Sequence, residues 1–253
     1  MNNLLCLMFH SIDKDNLAHR YAIAEHLFDE FVKNIKKKSY YSIDTRDLNN
    51  NIDNAAIHLS FDDGAVSDLE IASKILLKHK LKATFFVTTS YIGTPGYMTW
   101  GQVQELKQKG FDIQSHSHSH KLLATLSKKE IVQDLKMAKN MIEQKLGSPV
   151  EALSLPGGSI NRKVLEAALQ TGHKYIFTSV PKLNIFSQGN VFHRILIKQN
   201  TKVDNLKKIL VMDERYLKKE QNKYYIRKAI KAIITPKIYH YFWKKYYKDK
   251  VNN

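Results

Sequence analysis

The sequence is short of cysteine, of long apolar runs and of acid. It has one cysteine, Cys6, in 253 residues. An internal disulfide is thereby excluded. The chain fits a reducing compartment, or an exported bacterial protein that does without bridges. Cys6 lies in an apolar run and reads as a buried small hydrophobe. The opening stretch, "MNNLLCLMFHSIDKD", has no basic leader, and its apolar run stops at Phe9. That is too short for a signal-peptide core with a cleavage site and far too short for a bilayer span. No later segment is long enough to span either, so the expectation is a cytoplasmic protein. Only 24 Asp and Glu stand against 40 Lys and Arg, a formal charge of +16. With 43% hydrophobic and 25% charged residues, the composition is still that of a folded globular chain, enough for one large domain or two small ones. No repeat, low-complexity tract or linker interrupts the first 200 residues.

What is there is alternation. "LLCLMF" (Leu4–Phe9), "AAIHLSF" (Ala55–Phe61), "ATFFVTT" (Ala83–Thr89), "FDIQS" (Phe111–Ser115), "EALSL", "KYIFTS" and "FHRILI" (Phe192–Ile197) read as strands. Helical spacing separates them over Ala22–Lys37, Ser67–His79 and "NRKVLEAALQTG". Thr99 with Gln102, and Ser127 with Glu130, are capping-box patterns that open two further helices, closed at Gly110 and Gly147. Strands separated by helices imply parallel pairing. The spacing predicts an α/β fold, a (β/α) barrel, incomplete or distorted, with about seven strands. An open doubly wound sheet is the alternative. In either, sites gather at the carboxyl edge of the strands. His10, Asp62 and Asp63, His116–His120 and Pro156–Gly158 all follow strands.

Asp62 and Asp63 in "SFDDG" are turn residues on one reading. Adjacent carboxylates after an apolar strand are costly, however, unless a cation sits beside them. A divalent metal would supply it, held by the histidines of "SHSHSHK". Two imidazoles and a carboxylate leave coordination positions open, as in a catalytic zinc site. If the run stays extended, all three histidines face one way. If it turns after Ser115, His116 and His120 fall together and His118 points elsewhere. Spacing does not choose between these, and a solvated loop is the third option.

"LSFDDG", "SHSHSH" and "LPGG", in that order, resemble the polysaccharide deacetylase family, the carbohydrate esterases with a NodB-type domain. "ATFFV", "YMTW" and "GFDIQSHSHSHKLLATLS" extend the likeness over about residues 55–180. The resemblance implies Asp62 as general base and Asp63, His116 and His120 as ligands of a divalent metal, zinc by its donor set. It also implies a histidine acting as general acid. "LMFHSI" places His10 in that role, as in the circularly permuted branch resembling the deacetylases of poly-β-1,6-N-acetylglucosamine. The third family motif, R-x-P-[FY], reads Ser154-Leu155-Pro156-Gly157, without its arginine and aromatic. The Gly157 backbone N–H still suits an oxyanion. The family's motif of an Asp with a Trp is not found. The implied activity is removal of acetyl from an N-acetylated sugar, in a polysaccharide or a lipid-linked or nucleotide-linked precursor. The alternative is a carbohydrate-binding relative without turnover.

The deacetylase domain is expected over residues 1–212 and a basic, aromatic, helical tail over 213–253. From Arg215 onward, twelve Lys and Arg face two Asp and Glu, and nine of the 26 aromatics lie there. Ile226, Ile230, Ile233 and Ile234 share a helical face. Three readings stay open: residues 215–253 contact the anionic inner face of a membrane, the isoleucines pack on the body, or the tail binds single-stranded nucleic acid. The last rests on charge alone.

Overall fold

The computed structural model describes residues 3–14, 20–50, 55–185 and 189–233, with side chains as far as 230. The strands are β1 (Asn3–Phe9), β2 (Ile12–Asp13), β3 (Ile23–Ala24), β4 (Tyr41–Ile43), β5 (Ala56–Asp63), β6 (Thr84–Val87), β7 (Asp112–Ser115), β8 (Ala152–Ser154), β9 (Tyr175–Thr178), β10 (Asn184–Ile185), β11 (Val191–His193) and β12 (Ile195–Leu196). Around them run α1 (Glu25–Lys37), α2 (Ser73–Lys78), α3 (Trp100–Gln108), α4 (Lys128–Leu146), α5 (Arg162–Gln170), α6 (Val203–Leu210) and α7 (Glu214–Ile233).

The main sheet runs β10-β1-β5-β6-β7-β8-β9-β11, with β12 on β1 and β4 on β5. Every pairing in it is parallel except β10 with β1. The segment 191–196 closes the sheet on itself: β11 pairs with β9, and β12 pairs with β1. Arg194 is the single residue between those two strands. The barrel is therefore nearly closed, as the strand–helix alternation predicts, and the open doubly wound alternative falls.

Period-two patterning sorts each strand. Leu5, Leu7, Phe9, Ile57, Leu59, Phe61, Phe85 and Val87 join Phe28, Phe31, Ile35 and Leu76 in the core between sheet and helices. Each such side chain, fully buried, contributes roughly 1.5–3 kcal/mol. The intervening residues line the barrel interior: Cys6, Phe86 and Phe177, and the buried polar groups His58, Ser60, Asp62, Thr84, Gln114, His116, Ser154 and Arg194. Polar letters in apolar strands, the His and Ser of "AIHLSF" among them, are thus interior positions.

Both capping boxes form as read. Gly147 ends α4 at φ +62°, the left-handed region that favours glycine. One helix differs from expectation. Asp68–Ala72 is a π-helical turn before α2 begins at Ser73. Ser73 Oγ donates back to Leu69 O at 2.7 Å, satisfying a carbonyl there. The tail is helical through Ile233, and residues 234–253 lie outside the described residues. Ile226 and Ile230 are 60% and 47% exposed, so this part of the isoleucine face does not pack on the body. Among the described residues, no helix is long and apolar enough to cross a membrane.

Deep in the barrel, Asp112 accepts from Thr45 Oγ1 at 2.5 Å, Thr84 Oγ1 at 2.9 Å and Gln114 Nε2 at 2.9 Å. His58 Nε2 pairs with the same Thr84 hydroxyl at 3.0 Å. Burial, then the Arg194 charge, pushes His58 from 6.5 to about 3. On acidification below 6.5 the unfolded chain takes up a proton that the folded chain refuses, so stability falls with pH. His58→Gln is expected to lose stability less steeply, by about 1.4 kcal/mol per pH unit. Urea unfolding at several pH values reads this directly. Parallel curves for the two proteins contradict a neutral buried histidine.

Candidate active site

The site assembles from four strand ends. β5 carries Asp62 inward and ends on Asp63, whose φ of +81° is unusual for a residue with a side chain. Short acidic side chains tolerate that region best. It turns the chain so that adjacent aspartates serve different ends. β7 runs into His116, and the following loop turns at Ser117 (φ +66°) and His120 (φ +55°). Ser117 Oγ accepts from His120 N at 3.1 Å. Asp134, on α4, accepts from His118 N at 2.8 Å and Ser119 N at 3.1 Å. The loop is held by these bonds rather than by strand pairing.

Asp63, His116 and His120 come together, each offering a ligand atom within 4.8 Å of the other two. Asp63 Oδ1 lies 3.4 Å from His116 Nε2 and 3.2 Å from His120 Nε2. Yet this oxygen is buried without an aligned hydrogen-bond donor. Three ligand atoms that close, pointing past one another, are what a shared cation would organise. His116 Nδ1 sits 2.9 Å from Ser154 O. A carbonyl only accepts, so Nδ1 carries the proton and Nε2 offers its lone pair to the site. Burial pushes His116 down, against the pull of Asp62 and Asp63, so the ring is neutral, as a ligand must be. His118 takes no part: its Nδ1 pairs with Thr89 Oγ1 at 2.8 Å. The turned arrangement of the histidine run, not the extended one, is the real one.

Asp62 is 2% exposed and Arg194 is 0% exposed. Arg194 Nη1 donates to Asp62 Oδ1 at 2.8 Å and Nη2 to Oδ2 at 2.9 Å. Its remaining donors reach Ser60 Oγ at 3.1 Å, Ser154 Oγ at 2.7 Å and Thr178 O at 3.2 Å. All five N–H groups are satisfied, which makes a fully buried guanidinium tolerable. Burial alone would raise the Asp62 pKa. The Arg194 charge, with its hydrogen bonds to the carboxylate, more than offsets it and holds the carboxyl well below the usual range. Asp68 is the opposite case: burial and the charges of Asp63 and Asp62 push it well up.

The polysaccharide deacetylase family model matches residues 49–176. This chain belongs to the polysaccharide deacetylase family. Over 198 residues the chain is 25% identical to YxkH of Bacillus subtilis (strain 168), covering 76% of this chain and 70% of that one. It is 25% identical over 137 residues to the poly-beta-1,6-N-acetyl-D-glucosamine N-deacetylase of Staphylococcus epidermidis, covering 49% of this chain and 47% of that one. Among solved structures it resembles the Streptococcus pyogenes deacetylase PplD in complex with acetate. There the TM-score is 0.75 and the identity 26%, covering 82% of this chain and 98% of that one.

Arg194, between β11 and β12, reaches Asp62 in a chain whose third motif has no arginine. Ser154 stands at the motif's arginine position and donates to Asp62 Oδ2 at 3.0 Å, and Arg194 Nη2 donates both to that oxygen and to Ser154 Oγ. Sequence reading passed over Arg194. The available signal was an arginine in step with the inward positions of "FHRILI", where an unpaired cation has no place. At Gly157 (φ +65°) a Cβ would lie 2.5 Å from Leu122 Cδ2. Leu122 thus fills the space where the motif's aromatic side chain would begin. His10, at the end of β1, stacks on Tyr21 at 4.9 Å. Burial pushes its pKa down, against the pull of the Asp62 and Asp63 charges.

Proposed function

We propose that the chain hydrolyses the N-acetyl group of a 2-acetamido sugar in a glycan or glycan precursor, with a divalent ion, zinc by its donor set, held by Asp63, His116 and His120. The observation that supports this most is the Asp63–His116–His120 convergence beside an arginine-held Asp62. The donor set fits the ion: two imidazoles and one carboxylate, whose Oδ1 lacks an aligned hydrogen-bond donor. When bound, such an ion supplies Lewis acidity, lowering the pKa of a water and polarising a carbonyl.

The chain's own groups do the rest. Asp62 accepts the proton of the attacking water. Arg194 and Ser154 fix its carboxylate, and Oδ1, which takes a single bond from Arg194, keeps a lone pair for that proton. The Gly157 N–H, in the Pro156–Gly158 turn, faces the role of oxyanion donor. His10 protonates the leaving amine. The low pKa that burial gives it makes it a stronger acid once protonated. The non-catalytic alternative rested on the lost arginine and aromatic of the third motif; Arg194 on Asp62 speaks against the first of these grounds.

The test is acetate release from a panel of N-acetylhexosamine oligomers, with zinc and with chelator. Release is expected with zinc, to be lost with chelator, and to be lost together with bound metal in Asp63→Ala. Zinc-loaded protein that frees acetate from none of them, or an Asp63→Ala variant that binds zinc as wild type does, overturns the reading.

A further inference from the structure

Next to the candidate metal cluster stands a pair of tyrosines that the reaction above leaves unused. The His116 and His120 rings lie 4.9 Å apart, centroid to centroid. Tyr91 continues from His120 at 5.5 Å, and Tyr97 from Tyr91 at 4.7 Å. Four rings thus form a row that begins at the ligand imidazoles. His120 is the more open of the two, 31% exposed against 2% for His116. The tyrosines adjoin the ligand that solvent, and hence a substrate, can approach.

The loop that carries them is tightly held. Tyr91 N–H donates to Thr88 O at 2.9 Å, Thr94 N–H to Tyr91 O at 2.9 Å and Tyr97 N–H to Thr94 O at 3.1 Å. Gly93 N–H donates to Met98 O at 2.8 Å. Two further bonds tie the loop to the residues just after Asp63. They run from Met98 N–H to Gly64 O and from Val66 N–H to Gly96 O, both at 3.0 Å. The tyrosine pair and the carboxylate of the cluster therefore share one backbone frame. The loop's apolar anchors are other residues. Met98 lies in the core and Ile92 and Trp100 pack against it, whereas Tyr91 and Tyr97 join none of the core clusters. Both tyrosines are only partly buried, and the four residues 93–96 between them are exposed. Aromatic area left at a wet surface gains its stabilisation only when something covers it.

We propose that Tyr91 and Tyr97 form a subsite for the sugar unit adjoining the one that loses its acetyl group. This subsite rests on the deacetylase reading and narrows its substrate class to an oligosaccharide or polymer, in preference to a free monosaccharide. A pyranose suits the surface. Its ring carbons present C–H groups on one face, and the negative face of an aromatic ring attracts them. Its hydroxyls radiate from the edge, within reach of water and of the phenol oxygens. Tyrosine, apolar in its body and polar at its tip, matches both. With the acetamido group at the cluster, a unit linked to that sugar falls beside the cluster, where the row of rings runs. A surface held by its own backbone bonds loses little freedom on binding.

Zinc-loaded full-length protein is assayed for acetate release from N-acetylglucosamine and from its β-1,4- and β-1,6-linked tetramers. KM for at least one tetramer is expected below that for the monosaccharide by about three- to tenfold, the range of one aromatic contact. Whichever tetramer has the lower KM names the linkage, and either supports the proposal. Tyr97 is the residue to change, because Tyr91 packs against His120. In Tyr97→Ala the tetramer's advantage is lost through KM while its kcat holds, the signature of binding shared by ground and transition states. Tyr97→Phe keeps the advantage. Tyr97→Leu, apolar without an aromatic face, loses it. Rates are expressed per folded, zinc-loaded molecule, which separates a lost subsite from a disturbed cluster.

Equal KM values for the monosaccharide and both tetramers overturn the proposal and leave the deacetylase reading standing. So does a tetramer preference that survives Tyr97→Ala or Tyr97→Leu. Should no substrate release acetate, titration calorimetry with the two tetramers still decides. Binding about three- to tenfold weaker in Tyr97→Ala, and restored in Tyr97→Phe, supports the subsite. Binding that is absent, or equal in wild type and Tyr97→Ala, overturns it.

Discussion

Arg194→Met is expected to destabilise the protein by about 3–5 kcal/mol, the cost of leaving one member of a buried ion pair alone. Arg194 makes five hydrogen bonds from a fully buried position against the rings of Phe86 and Phe177, whose centroids lie 5.5 and 5.9 Å from its Cζ. Methionine fills part of the volume and makes none of them. Asp62, Ser60 and Ser154 would keep their polar atoms in the barrel with fewer partners. The loss extends to the fold, because Arg194 is the single residue between the strand that pairs with β9 and the strand that pairs with β1. Urea unfolding of wild type, Arg194→Met, Asp62→Asn and the double variant separates these effects. The pair should show a coupling free energy of at least about 1 kcal/mol, since contacting residues in one network do not add. Arg194→Lys, with the charge but not the planar fork, should fall between wild type and methionine. A methionine variant as stable as wild type would show that the pair does not hold the barrel closed.

The path from letters to site was open where chemistry is local. The boxes at Thr99 and Ser127 each lie within a single turn, and both formed. Strand existence followed from period-two runs of β-branched and aromatic residues. The Asp63–His116–His120 cluster was legible because its histidines share one loop and its carboxylate stands at a strand end. Choosing His116 and His120 over His118 needed the family likeness. The deciding bonds, from Thr89 to His118 and from Asp134 to the loop N–H groups, come from separate elements. Arg194 was illegible for the same reason on a larger scale. Its partner is 132 residues away, and the two meet only once the barrel closes. "FHRILI" reads as one strand. That it changes partners at its arginine depends on closure. The π turn at Asp68–Ala72 left no mark in the helical spacing of Ser67–His79.

Asp62→Asn should cut turnover by roughly 10²–10⁴-fold, the range that a positioned general base contributes, while zinc binding stays intact. Position in the site is the basis for separating these effects. Asp63 Oδ1 stands within 3.4 Å of both ligand imidazoles, whereas the nearer Asp62 oxygen is 3.9 Å from His116 and is committed to Arg194 and Ser154. Neighbouring aspartates should therefore fail in opposite ways. Asp63→Ala loses metal and activity together. Asp62→Asn keeps the metal and binds substrate with KM little changed, but loses kcat and kcat/KM in equal measure, the signature of an interaction made only in the transition state. Asparagine also sets an amide N–H₂ against the Arg194 fork, so the folded fraction must be measured and kcat expressed per folded, zinc-loaded molecule. If that corrected kcat stays within about threefold of wild type, far short of the general-base range, Asp62 is a structural partner of Arg194 and the base must be sought elsewhere. If instead Asp62→Asn loses zinc and Asp63→Ala retains it, the two carboxylates have exchanged roles and the left-handed turn at Asp63 serves a purpose other than ligation.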